Sequence, residues 1–273
     1  MLRQRVITAV LLLIVLVGTL AIANPLPFQL LMLVFVSCAL WEWWRLTLGR
    51  PVDAKRVFWP EVVAAVVLGL VLFGMRQSAA AGWPTLWAVM SVIWLFVIVP
   101  FLFKAKPGAP GKSAVLTVFA PFALIAAWGA LVAGYARGVP FLLTLLALVW
   151  VADIGAYFTG KAFGKNKLAP HISPGKTREG AYGGIAGAVI LVLASAWLPG
   201  TFGAALVARW TFAGAILIVL LLAALSIAGD LFESLLKRRA GYKDSSNLLP
   251  GHGGVLDRID ALIPVLPLAL LLS

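Results

Sequence analysis

Apolar residues run along this chain in long, continuous stretches, which polar and turn-forming residues interrupt at intervals. The stretches do not alternate apolar with polar positions, so the pattern predicts helices rather than the strands of a barrel. A helix needs about 20 mostly apolar residues to cross the hydrocarbon core of a bilayer. The pattern predicts nine such spans, at residues 6–23, 28–46, 60–76, 84–103, 114–135, 139–160, 181–199, 205–228 and 255–272. We therefore expect an all-α polytopic integral membrane protein.

Composition supports this class of protein. Hydrophobic residues make up 62% of the 273 residues and charged residues only 12%, with a mean hydropathy of +1.03. A soluble domain carries about a quarter of its residues as charged side chains. Much of this surface must therefore contact lipid.

The first apolar run follows Arg3 and Arg5, as in a secretory signal peptide. Because the run at 6–23 is longer than the usual apolar core of such a peptide, we interpret it as a retained first span. Nothing here is typical of an organelle transit sequence, so we expect a bacterial-type plasma (inner) membrane.

The distribution of basic residues predicts the orientation. With the N-terminus in the cytosol and the sides alternating, 19 of the 22 Lys and Arg residues fall in cytosolic segments. Only Arg76, Arg137 and Arg209 fall elsewhere. We therefore expect an N-in, C-out topology. The net charge of +12 reflects these loops and their anionic lipid surroundings, and no basic soluble module indicates nucleic-acid binding.

The acidic residues are unevenly placed, and acids near membrane spans are usually functional. Glu42 lies among Trp41, Trp43 and Trp44, which we interpret as an interfacial aromatic belt, and we expect a structural or interfacial role for it. Seven of the ten acids lie near the predicted cytosolic ends of the later spans: Asp153, Glu179, Asp230, Glu233, Asp244, Asp257 and Asp260.

Helical spacing aligns several of these acids with other polar residues. Asp153, Tyr157 and Lys161 follow at intervals of four and share one face. A second polar stripe includes Asp230 and Lys237, on a helix predicted over 212–239. This helix would be about 42 Å long, so its end would project beyond the hydrocarbon core.

Two polar loops complete the pattern. Ser173, Lys176 and Thr177 precede a helix start and could hold a phosphate, although basic loops often only set topology. His252, Gly253 and Gly254 precede Asp257 and Asp260, at a helix start where carboxylates could bind Mg²⁺. Cations for phosphate and carboxylates for a metal are together typical of phosphoryl and nucleotidyl transfer.

The stretch SLLKRRAGYKDSSNLLPGHGGVLDRID at residues 234–260 resembles the C-terminal signature of phosphatidate cytidylyltransferases (CDP-diacylglycerol synthases). The helix with Asp153 and Tyr157 and the loop at 173–177 resemble further features of that family. The resemblance covers residues 140–270 well. It implies the reaction of CTP with phosphatidate to give CDP-diacylglycerol and pyrophosphate, with Mg²⁺ and with a second cation left open.

The resemblance also implies roles for individual residues. The implied metal ligands are Asp230, Asp257 and Asp260. The implied catalytic residues are Lys237, Arg238, Lys243, Asp244, His252 and Arg258, although one or more of these cations could pair with the acids instead. The implied substrate-binding residues are Asp153, Tyr157, Lys161, Ser173, Lys176, Thr177, Ser234, Gly253 and Gly254.

Two segments follow from this interpretation. Residues 1–135 would form an N-terminal scaffold of five spans that could also make oligomer contacts. Residues 136–273 would form four catalytic spans with a cytosolic-face site. A homodimer is expected from the resemblance alone.

Three other functions fit parts of the pattern. A transporter or flippase of an anionic lipid or metabolite also needs intramembrane acids, but the sequence lacks the internal repeats typical of one. A CTP-dependent lipid kinase would release CDP instead of pyrophosphate. A structural scaffold would not need seven acids on one face.

Overall fold

The computed structural model of the chain describes residues 2–49, 59–75, 82–105 and 112–273. Five of the basic residues used for the predicted topology, which are Arg50, Lys55, Arg56, Arg76 and Lys106, lie outside the described residues.

Helices dominate the described chain, and one short hairpin interrupts them. The helices are α1 (Leu2–Ala21), α2 (Leu26–Thr47), α3 (Trp59–Met75), α4 (Trp83–Ile93), α5 (Val99–Lys104), α6 (Ala114–Ala136), α7 (Val139–Phe163), α8 (Arg178–Ser195), α9 (Phe202–Ala240), α10 (Leu256–Ile259) and α11 (Leu262–Leu272). A π-helical segment, Trp94–Ile98, joins α4 to α5. Strands β1 (Lys167–Ala169) and β2 (Ser173–Thr177) pair antiparallel between α7 and α8.

The predicted all-α membrane class is confirmed. Among the described residues, five helical stretches are long and apolar enough to cross a bilayer: Leu26–Thr47, Trp83–Lys104, Ala114–Ala136, Val139–Phe163 and Phe202–Ala240. The count of nine spans and the orientation stay predictions.

The predicted ninth span consists of α10 and α11 in direct succession. Asp260 and Ala261 between them keep right-handed helical backbone angles, and Pro264 has no N–H to donate to Asp260. Together residues 256–272 correspond to about 26 Å of helix. Residues 262–270 are all buried, and α11 packs against α4, α6 and α9. The two predicted segments of the chain therefore share one core, while the division at residue 135 stays a prediction.

Helix α9 contains the long helix that the sequence predicts over residues 212–239. Its backbone leaves helical geometry at Thr211, where φ is 62° and ψ is 175°, and the helix then continues to Ala240. Gly241 ends it in the left-handed conformation, with φ of 77°, which glycine adopts without strain. The predicted long helix from residue 212 to 239 is confirmed.

An aromatic cluster packs α9 against the N-terminal helices. Phe232 of α9 contacts Trp43 of α2 and Trp94 of the π-helical segment, at ring-centroid distances of 5.4 and 5.2 Å. Trp43 is only 1% exposed. The interpretation of this tryptophan as part of an interfacial belt is wrong, because α2 turns Trp43 into the protein core.

Glycines allow α7 and α8 to pack in close contact. A Cβ atom on Gly155 would lie 2.9 Å from the carbonyl oxygen of Gly183, and one on Gly184 would clash with the carbonyl oxygen of Ala152. Side chains at these positions would separate the helices. This contact fixes the position of the α7 face that carries Asp153 and Tyr157.

Candidate active site

A polar cavity of about 610 Å³ opens between α7, the β1–β2 hairpin, α8 and α9. Its far wall comes from the segment that follows α9 and from α10. Nine charged residues line it: Asp153, Lys161, Lys176, Asp230, Lys237, Asp244, Asp257, Arg258 and Asp260. All nine were predicted as site residues from the sequence, and they come from both polar loops and both polar helix faces.

The predicted polar face of α7 is confirmed. Asp153, Tyr157 and Lys161 all line the cavity, and the Lys161 ammonium lies 6.0 Å from the centre of the Tyr157 ring. Among the described residues Asp153 forms no ion pair, so its carboxylate is available to a ligand.

Seven other predicted residues lie outside the cavity lining: Ser173, Ser234, Arg238, Lys243, His252, Gly253 and Gly254. Arg238 and Lys243 are exposed. The Ser234 hydroxyl donates to Asp230 Oδ1 at 3.4 Å. Gly253 and Gly254 lie directly behind the lining, because the Gly254 N–H donates to Asp257 Oδ2 at 2.7 Å.

Lys237 joins two carboxylates at the base of the site. Its ammonium lies 2.5 Å from Glu233 Oε2 and 2.6 Å from Asp257 Oδ1, and Glu233 is only 2% exposed. A buried acid is costly unless it is paired. Lys237 thus pairs with acids, as one of the sequence alternatives allowed, and it fixes α10 against α9.

Asp257 anchors the preceding loop. Its Oδ2 accepts from the Ser245 N–H at 3.0 Å and from the Ser245 hydroxyl at 2.9 Å, in addition to Gly254. Gly253 has a φ of 81°, which glycine tolerates best. Both carboxylate oxygens of Asp257 therefore have protein donors.

The remaining cavity acids suit a hard cation. Asp230 pairs with Lys176 of β2, and Asp153 and Asp260 line the same cavity. Oxygen ligands of this kind are those that Mg²⁺ prefers. In the part of the chain that the structure describes, however, no three Asp, Glu, His or Cys side chains already form a metal-holding group. The metal role of Asp230, Asp257 and Asp260 stays a prediction.

The His252 loop is held by its backbone. The guanidinium of Arg258 donates from Nε to the His252 carbonyl oxygen at 3.1 Å, and Nη2 contacts the same oxygen. The buried Nδ1 of His252 has no hydrogen-bond partner among the described residues. Arg258 therefore both lines the cavity and fixes the shape of the loop.

Thr177 and Glu179 organise the start of α8. The Thr177 hydroxyl caps the helix by accepting from the Gly180 N–H at 3.1 Å. Glu179 accepts from the N–H groups of Lys165 and Asn166, at 3.1 and 3.2 Å. Its own backbone N–H and the Asn166 side chain lower the pKa of Glu179 to about 2. The polar hairpin is thereby fixed to the end of α7.

Glu42 and two serines are important residues that sequence reasoning did not assign to the site. Glu42 is completely buried. It accepts from the Ser246 hydroxyl and from the N–H groups of Val255, at 3.0 Å, and Leu256, at 2.6 Å. The Ser245 hydroxyl lies 3.0 Å from Glu42 Oε2 and shares its single proton between Glu42 and Asp257. The predicted structural role is confirmed, but its partners were not predicted. An acid inside an apolar helix was the available signal.

Comparison with known proteins identifies the class to which this fold and site belong. The cytidylyltransferase family matches residues 3–273, so the chain belongs to this family and is a nucleotidyltransferase. The family predicted from residues 234–260 is thereby confirmed.

Individual relatives are similar over nearly their whole length. The phosphatidate cytidylyltransferase of Pseudomonas aeruginosa is 41% identical, over 98% of this chain and 95% of its own. The phosphatidate cytidylyltransferase of Haemophilus influenzae is 33% identical, over 98% and 96%. That of Bacillus subtilis is 35% identical, over 97% and 95%.

Proposed function

We propose that this chain is a membrane-embedded phosphatidate cytidylyltransferase, which converts CTP and phosphatidate into CDP-diacylglycerol and pyrophosphate. The observation that carries the proposal is the polar cavity at the ends of two membrane-spanning helices, α7 and α9. A water-soluble polyanion and the phosphate of a membrane lipid could both enter such a site.

The reaction requires positioning more than a strong base. A phosphate oxygen of phosphatidate attacks the α-phosphorus of CTP, and the bond from this phosphorus to the bridging oxygen of the β-phosphate breaks. The attacking group is already an anion, so no side chain has to remove a proton from it. Lys161, Lys176 and Arg258 lie on the cavity wall, where their charges would offset the repulsion between two polyanions.

Asp230 and Asp260, with Asp153 nearby, are the residues that would hold Mg²⁺, and Asp257 would join them if Lys237 released one of its oxygens. The ion would supply charge stabilisation for the cytidylyl group that is transferred. A second cation is left open.

The orientation forms part of the proposal. Arg137 immediately precedes α7, and Arg209 lies near the start of α9. The guanidinium of Arg137 bonds the Ser273 hydroxyl at 2.5 Å, and that of Arg209 bonds the Ser273 carbonyl at 2.8 Å. These two arginines, which the charge count excluded from the cytosolic side, thus share the end of the bundle opposite the cavity. This supports four crossings after residue 136, with the C-terminus at the end opposite the cavity. The nine spans, the cytosolic side of the cavity and the bacterial inner membrane rest on the sequence pattern. The homodimer stays a prediction.

The test is pyrophosphate release by purified protein in detergent micelles, with CTP, phosphatidate and Mg²⁺. We expect release that requires both substrates. A transporter would release no pyrophosphate, and a CTP-dependent lipid kinase would release CDP, so either result would contradict the proposal.

Asp230→Asn and Asp257→Asn test the acidic residues of the site. We expect each change to lower turnover by at least about 100-fold, because charge stabilisation typically contributes several kcal/mol to such a transition state. Thermal unfolding in the same detergent controls for folding. Near-normal turnover in both variants would contradict the metal assignment.

A further inference from the structure

A second, apolar groove of about 310 Å³ runs beside the polar cavity. Three elements bound it: α5 on one side, the β1–β2 hairpin on another, and α9 along the floor. Leu102 and Phe103 of α5 face Leu168 and Ile172 of the hairpin across it. The groove lies at the end of Trp83–Lys104 that carries Lys104, one of the predicted cytosolic residues.

Small side chains create the depth of this groove. Its floor includes Ala224 and Ala228 of α9, so the floor lies below the larger side chains of its walls. No charged side chain lines it among the described residues, and His171 is its one titratable group there. The lining therefore suits a narrow hydrocarbon better than a polar ligand.

The groove and the polar cavity share a wall. Leu168 and Ile227 line both. Lys176 lies on β2, the second strand of the hairpin, and its ammonium pairs with Asp230 in the polar cavity. If a ligand placed its phosphate beside Lys176, an apolar chain attached to that phosphate could therefore extend into the groove.

We propose that this groove binds an acyl chain of the diacyl phosphate lipid whose headgroup enters the polar cavity, an inference that rests on the proposed function. The chain would leave the headgroup between Leu168 and Ile227 and lie over Ala224 and Ala228. Bulk lipid covers convex, lipid-facing helix surfaces in any membrane protein, whereas this groove is concave and adjoins the headgroup site at Leu168 and Ile227.

Photocrosslinking tests occupancy without relying on turnover. The purified protein in detergent micelles is irradiated with a phosphatidate that carries a diazirine in one acyl chain, and the labelled peptides are mapped by mass spectrometry. We expect labels within residues 99–105, 168–172 and 224–231, which excess unlabelled phosphatidate removes and excess phosphatidylcholine does not. Labels spread evenly over lipid-facing helices, or equal competition by both lipids, would overturn the proposal.

Filling the groove tests its contribution to catalysis. Ala224→Phe should raise the KM for a phosphatidate with two 18-carbon chains by about 5-fold or more, and change the KM for an eight-carbon-chain phosphatidate less than 2-fold. Leu217→Phe is the matched control, because Leu217 lies two turns earlier on the same face of α9, is 68% exposed and does not line the groove. Equal effects of Ala224→Phe on both substrates, or equal effects of both variants, would contradict the groove.

The two proposals fail in different ways. If the unmodified protein releases no pyrophosphate with either substrate, the proposed function is wrong. If it turns over both phosphatidates and Ala224→Phe does not discriminate between them, the reaction stands and the acyl-chain site is wrong.

Discussion

Glu42 shows how one residue connects the two halves of the chain. A carboxylate buried in a protein core is costly unless donors surround it. Here two hydroxyls and two backbone N–H groups of residues 245–256 provide them. The Ser245 hydroxyl lies within 3.0 Å of Glu42 Oε2 and 2.9 Å of Asp257 Oδ2. The loop behind the cavity is therefore held from α2 as well as from α10.

We expect Glu42→Gln to destabilise this loop and lower activity. One carboxylate oxygen becomes an NH₂ group, which cannot accept from the donors that face it. The loss should be about 2–3 kcal/mol in unfolding free energy, measured by thermal or denaturant unfolding in detergent, together with slower pyrophosphate release.

A double-mutant cycle with Ser246→Ala separates this network from a general packing defect. Since Ser246 donates to Glu42 Oε1, the two losses should be less than additive. Additive losses to within about 0.5 kcal/mol would show that the two side chains act independently.

At the level of elements, the α7–α8 contact sets the width of the cavity. Residues of both helices line it, including Ala152 and Ala156 of α7 and Ala181 and Gly184 of α8. Their backbones approach closely enough that a Cβ on Gly184 would clash with the Ala152 carbonyl oxygen. The position of Asp153 relative to Lys176 thus depends on a glycine.

Gly184→Ala should force the two helices apart and reduce turnover more than 10-fold, because a displacement of about 1 Å near reacting groups can cost 100-fold in rate. The measurement is pyrophosphate release alongside thermal unfolding. Ala186→Leu is the control, since Ala186 is an exposed position on the same helix and should tolerate the larger side chain. If Gly184→Ala behaves like the control, the glycine contact does not determine the site.

These elements also show where sequence reasoning succeeds and where it stops. The polar stripes on α7 and α9 were predictable, because helical periodicity alone places Asp153 near Tyr157 and Asp230 near Lys237. The partners of Glu42 were not, because Ser245 lies 203 residues away along the chain. The complete burial of residues 262–270 was also not predicted, since an apolar run does not reveal whether its side chains face lipid or other helices.

At the scale of the whole molecule, the exposed surfaces of the long helices are apolar, whereas the cavity is lined with charged residues. Large apolar side chains are exposed on the long helices, for example Val118, Ile154 and Leu217, as expected where lipid replaces water. Charged groups instead concentrate at the ends of α7 and α9. Both helices have an arginine near their first residues, Arg137 for α7 and Arg209 for α9, and both lead from there to the cavity. The orientation of either helix in the membrane therefore decides on which side of the membrane the cavity opens.

Cysteine labelling tests this orientation directly. The described chain contains one cysteine, Cys38, so Cys38→Ser provides a background for single cysteines at two exposed positions, Lys165 near the cavity and Leu198 beyond the far end of α8. Because 19 of the 22 basic residues fall on one predicted side, a membrane-impermeant maleimide should label Lys165→Cys only in inside-out vesicles. It should label Leu198→Cys only in right-side-out vesicles. The reverse pattern would place the cavity outside the cytosol, where CTP is not supplied, and labelling of both positions from one side would contradict α8 as a membrane span.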